Sequence, residues 1–170
     1  MGSTGAVIMS FFGVIFCILG LGPEIGWTNP LFLIPFAILG FIVMRVIALS
    51  RRGSANSASA STDKVFMWAT IGEGIGIVIV VNVLVNFGHR DLILPGIAAV
   101  VGLHFLPIAY VIPFRPFYAV AAGLLAAAAF AFLAGQPAGS EVAGVVAAVA
   151  LWLASFTALS RESRSLMSRT

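Results

Sequence analysis

The sequence predicts an all-α, polytopic membrane protein: six transmembrane helices in a compact bundle, with both termini cytoplasmic. Three observations lead there. Hydrophobic residues make up 61% of the 170-residue chain and charged residues only 9%, whereas a soluble domain carries roughly a quarter of its residues charged. The apolar residues fall in six runs, most of them near the length a helix needs to cross about 30 Å of hydrocarbon. The charges then sort by side. In a six-span topology Arg45, Arg51, Arg52, Lys64, Arg115, Arg161, Arg164 and Arg169 fall on one side, while Arg90 stands on the other beside Glu24, Asp91 and Glu141. The positive-inside rule places the basic side, and with it both termini, in the cytoplasm. One span more or fewer would scatter these charges.

Taken in order, the chain reads as one domain, residues 1–170. The first run, residues 6–21, is short for a span. No Lys or Arg precedes it in MGSTGA, so it is expected to be a retained span and not a cleaved secretory signal. Ala6 also breaks the myristoylation pattern. A Gly22-Pro23-Glu24 turn and Trp27, at the outer interface, lead to the second run, residues 30–50, which opens on Pro30 as a first helical residue and contains Pro35. Residues 51–64 are polar and Ser/Ala-rich, the one substantial linker, and are expected to be mobile. The third run, residues 65–87, reads VFMWATIGEGIGIVIVVNVLVNF. A short Gly88-His89-Arg90-Asp91 connection leads to the fourth, residues 92–112. Pro113 and Pro116 bracket Arg115 in a tight turn before the fifth, residues 117–134. A turn over residues 135–140 precedes the sixth, residues 141–159, and a basic tail over 160–170 ends the chain. Trp68, Tyr110 and Tyr118 fall near the inner interface, and Trp152 lies mid-span as a packing residue. No convincing internal repeat links the two halves.

The third run holds the residue with the strongest chemical signal, Glu73. It lies about eight residues, roughly 12 Å, from the inner end of its span. A carboxylate at that depth costs about 2.5–3.5 kcal/mol on insertion scales, so it must be protonated, paired or in contact with water. Its functional reading is a proton or cation site; its structural reading is a hydrogen bond that locks helices. His104 in the fourth run lies at a similar depth, because the two spans run antiparallel across a short connection. A Glu73–His104 pair would satisfy both groups and could relay protons. Pro107, three residues on, leaves the carbonyl of Leu103 without its helical donor. The plainer reading of His104 is a hydrogen bond to backbone.

Asn82 and Asn86 share a face one turn apart, and nine residues put Asn82 opposite Glu73 at 100° per residue. Polar groups on both faces imply a helix enclosed by others, so the third span is expected at the centre, with the two amides near Pro95 and Gly96. They either cross-link helices or bind substrate. Gly72 and Gly76 form a GxxxG pair for close helix approach or for local unwinding around a ligand. Arg45 either snorkels to the interface or reaches Glu73 as a counter-charge. In the last two spans Ala119, Gly123 and Ala127, and Ser140, Gly144 and Ala148, form small-residue stripes suited to a tight helix pair or a homo-oligomer face. The ion- or substrate-binding candidates are therefore Glu73, His104, Asn82, Asn86 and Arg45; the helix-packing candidates are Gly72, Gly76, Gly123 and Gly144.

Other chemistry finds little support. The single cysteine, Cys17, excludes an intrachain disulfide and a Cys-based metal cluster; in an apolar helix its expected role is packing. Only one histidine is intramembrane, which argues against haem, and no cofactor or metal is expected. No nucleophile–base pair stands out, so an enzyme is not expected; Ser155 and Thr157 can bond back to their own helix. The net charge of +3 sits in loops and tail, where it suits lipid headgroups and does not indicate nucleic acid. The expected partner is the bilayer. Two functions remain: a proton- or ion-coupled transporter or channel built on Glu73 and His104, or a non-catalytic scaffold in which polar residues only hold helices together. In general look the chain resembles small multi-pass bacterial inner-membrane proteins, but no motif in it, GEGIG and VGLHFLP included, names a family.

Overall fold

The computed structural model describes residues 3–51, 60–112, 115–135 and 138–167. Residues 52–59 of the expected mobile linker, with Arg52, as well as Pro113 and Arg169, lie outside them. The described residues are 93% helical without strands. They form α1 (Ser3–Ile25), α2 (Leu33–Ser50), α3 (Ala60–Asn86), α4 (Ile93–Val111), α5 (Pro116–Ala134) and α6 (Ala138–Met167). Single 3-10 turns at Pro30–Phe32 and Arg90–Leu92 lead into α2 and α4. All six helices are long and apolar enough to cross a membrane.

Local chemistry sets their ends. Gly26, at φ +79°, closes α1 by donating its N–H to the carbonyl of Gly22, the left-handed stop that glycine adopts without strain. Pro23 therefore sits inside the last turn of α1 instead of beginning a turn, and the helix runs past its expected end at residue 21. Asn29 then caps the entry to the second span, its Oδ1 accepting from the N–H of Leu31 at 3.0 Å. The indole of Trp27 lies over Gly22 and stacks on Phe32. Gly88, also at φ +79°, ends α3: its N–H reaches Val85 and that of His89 reaches Leu84, the paired bonds of a Schellman stop. At the other end α3 begins at Ala60, so its first turn takes in part of the expected linker; Ser, Thr and Asp ahead of an apolar run are N-terminal residue types. The basic tail also differs from a simple appendage. α6 continues to Met167, Leu166 packs on the core, and Arg164 in the last turn suits the helix dipole.

The core lies among α1, α4, α5 and α6, where Phe16, Val101, Leu124 and Leu151 are fully buried. The chain of packed neighbours runs α1, α6, α5, α4, α3, each pair antiparallel. Gly20 meets Gly144 and Gly13 meets Trp152 across α1 and α6; Ala131 meets Gly139 across α5 and α6. Phe105 meets Phe117 across α4 and α5. Along α3 and α4, Glu73 meets His104, Gly76 meets Val100, and Val80 and Leu84 meet Gly96. α2 packs outside α1 and α6 through a thin seam, Pro35, Ile42 and Leu49, residues seven apart that recur on one face every two turns.

This arrangement corrects the expected centre of the molecule. α3 is peripheral: none of its spanning residues is buried, and α4 is the helix it packs on. Its outward face, Ile71, Ile75 and Val78, is exposed and suits lipid tails. The inference from Asn82 assumed that polar groups on two faces need two protein neighbours. Asn82 instead donates its amide to the carbonyl of Val78 one turn back, at 2.8 Å.

Candidate functional site

α3 and α4 bring Glu73 and His104 together because their antiparallel register places the two at one height. Glu73 Oε2 lies 3.6 Å from His104 Nδ1. That is an electrostatic contact, too long for a direct hydrogen bond. The side chains are 12% and 8% exposed respectively. His104 Nδ1 has no hydrogen-bond partner and is shielded from solvent, so the backbone-bonded reading of this nitrogen does not hold. The imidazole stands edge-on to Phe105, ring centroids 5.4 Å apart.

Both groups border a cavity of about 170 Å³. Its walls come from α1 (Gly5, Ile8, Met9, Phe12), α3 (Phe66, Thr70) and α4 (Val101, Phe105, Ile108), and it is completed by Phe117 of α5 and Leu151 of α6. The cause is a gap in packing. α1 and α3 both flank this part of α4, yet α3 makes its substantial contacts with α4 and not with α1. Gly5 adds no side chain to fill the space, and a Cβ there would meet nothing within 4 Å. Glu73, His104 and Thr70 are the polar side chains among otherwise apolar walls.

The remaining candidates do not converge here. Asn82 and Asn86 are exposed on α3, whereas Pro95 and Gly96 are buried and Gly96 is approached by Val80 and Leu84 instead. Arg45 is exposed on α2 and makes no ion pair with Glu73. Of the packing glycines, Gly76 meets Val100, but Gly72 has nothing within 4 Å of a Cβ, so the GxxxG pair is half used. Gly144 is a tight contact, with α1 as its partner; Gly123 lies at ordinary distance from Ala150 of α6. Ser155 and Thr157 bond back to Leu151 and Ala154 of their own helix. Cys17 is buried as a free thiol, and no group of three or more potential metal-ligating side chains occurs among the described residues.

Sequence reasoning missed two parts of the site. Thr70 lies one turn before Glu73, a spacing that puts both on one helix face, and this signal was available. The α1 wall was not: Ile8, Met9 and Phe12 look like any lipid-facing triplet until α1 is placed beside α4.

Chemically, the site is an apolar chamber with one carboxyl and one imidazole. In a medium of low polarity, an uncompensated charge is far costlier than a neutral or paired one. A neutral pair that shares one proton therefore costs less here than a lone charge. No protein family, curated protein or solved structure matches this chain.

Proposed function

We propose that this chain is a small integral protein of the inner (plasma) membrane that moves a small solute across the bilayer, coupled to protons carried by Glu73 and His104. The supporting observation is the cavity. A scaffold that used polar residues only as glue would pack Glu73 and His104 against protein, whereas here both border open space of about 170 Å³. Their 3.6 Å separation holds the carboxyl and the imidazole in electrostatic contact beside that space. An intramembrane carboxylate beside a cavity is the arrangement expected of a proton or ion pathway. The charge asymmetry of the loops supports cytoplasmic termini.

The test is proton movement into proteoliposomes that trap a pH-sensitive dye, driven by a pH gradient, with and without a panel of small lipophilic solutes outside. Wild type should carry protons above the rate of empty vesicles. Glu73→Gln keeps the side-chain shape but cannot lose a proton, and at matched incorporation it should fall to that background. Wild-type flux at background across the whole panel would return the protein to the scaffold reading.

A further inference from the structure

We propose that the cavity binds a small lipophilic organic cation, an alkyl- or arylalkylammonium, in exchange for one proton from the Glu73–His104 pair. This names the solute of the carrier reading above and rests on it.

Size, wall chemistry and charge each narrow the choice. A dry cavity of roughly 150 Å³ accommodates benzene, so about 170 Å³ admits one phenyl ring or a short branched alkyl group with a small head. Four walls are phenyl rings, Phe12, Phe66, Phe105 and Phe117. Aromatic faces attract ammonium groups when the cation comes within about 6 Å of the ring centroid, and the attraction grows as water is excluded. An organic body with a positive head therefore gains from the same walls that would repel a hydrated metal ion. Glu73 provides the anion, and His104 lines the same end of the chamber, its shielded Nδ1 turned toward Glu73 Oε2 at 3.6 Å.

Charge balance then fixes the stoichiometry. The titratable groups facing the chamber are Glu73 from α3 and His104 from α4; the described walls from α1, α5 and α6 carry none. Without ligand the pair is neutral as a unit and holds one exchangeable proton. When a cation enters, the chamber stays neutral only if that proton leaves: Glu73 becomes a carboxylate against the ammonium, His104 stays a neutral imidazole, and one proton passes to water. No other bond forms or breaks. A neutral molecule of the same shape displaces nothing, and an anion meets Glu73 as a like charge.

The experiment is calorimetric titration of the purified full-length chain in detergent at neutral pH, using three probes of one size: benzylammonium, benzyl alcohol and benzoate. Protein-free micelles are the blank. Repeating the titration in buffers of different ionisation enthalpy counts the protons released. Benzylammonium should bind at least about tenfold tighter than benzyl alcohol, releasing one proton per site, and benzoate should not bind. Glu73→Gln should abolish both the preference and the release, and Glu73→Asp should keep a weakened preference. Should Glu73→Gln fail to fold, the wild-type proton count decides by itself. Equal binding of amine and alcohol, or amine binding without proton release, overturns the proposal. Vesicle proton flux without a cation preference would sink this ligand class and leave the carrier; cation-for-proton exchange in detergent without flux would sink the carrier and leave the site.

Discussion

The seam between α1 and α6 and the contact between α3 and α4 both place glycine where two helices meet, with different results. A Cβ on Gly144 would lie 2.6 Å from the Cα of Gly20 and 2.6 Å from the carbonyl oxygen of Phe16. These are backbone atoms and cannot turn aside. A Cβ on Gly76 would lie 2.9 Å from one methyl carbon of Val100, the end of a side chain. Small-residue spacing thus shows that a helix can be approached closely; the rest of the fold decides whether it is. The contrast also has a functional side. The tight α1–α6 seam fixes one wall of the cavity, while α3, held by α4 and otherwise exposed, carries Glu73 on the least constrained element of the bundle.

The largest effect on stability should come from the seam. Gly144→Ala forces α1 and α6 apart and should destabilise the fold by about 1–3 kcal/mol, the usual range for overpacking. It should do so even though alanine is favoured over glycine in a helix by about 1 kcal/mol. Thermal unfolding in detergent would measure this. A Gly144→Ala protein as stable as wild type would mean that the two backbones are not in contact and that the comparison fails at its stronger end.

A smaller effect should follow from the same seam one stretch further along. Trp152 lies across Gly13 and donates its indole N–H to the carbonyl of Ser10 at 3.3 Å. Trp152→Phe keeps an aromatic ring but removes the bond. Interhelical hydrogen bonds in membrane proteins contribute about 0.6 kcal/mol on average and up to about 1.7, so a loss in that range is expected in the same unfolding measurement. A larger loss would assign the seam's strength to this bond more than to close backbone contact.

How much of this was legible in the sequence depended on the kind of information required. Helix number followed from hydropathy alone, because a span must satisfy every backbone group internally and so be one continuous apolar helix. The Glu73–His104 meeting followed from a short connection and equal depth, both one-dimensional quantities. Helix order around the bundle did not follow. Pairs adjacent in sequence, α3 with α4 and α4 with α5, could be assumed; the pairing of α1 with α6 could not, because Gly20 and Gly144 are far apart in the chain and neither carries a mark of its partner. The same gap produced the misplaced centre. With α1 and α6 unpaired, sequence alone demands enclosure for the polar α3, because it does not show that the amide of Asn82 bonds to its own helix. The cavity was illegible for the same reason, since one side of its wall, Gly5, Ile8, Met9 and Phe12, belongs to α1.

The smallest effects should come from the outer helix, and there the sign is informative. Gly76→Ala asks only that Val100 change rotamer, so a change within about 1 kcal/mol in either direction is expected. Gly72→Ala meets open space and replaces a poor helix former with the best one, so it should be neutral or stabilise by up to about 1 kcal/mol. The two variants measured side by side calibrate the contact: Gly76 reports what α4 tolerates, and Gly72 reports what lies on the flank of α3. If Gly72→Ala destabilises the protein by more than Gly76→Ala does, something other than lipid or detergent must press on that flank. A second copy of the chain then becomes the first candidate, and the loss should grow with protein concentration in the micelle, because only an associated form would feel the added methyl group.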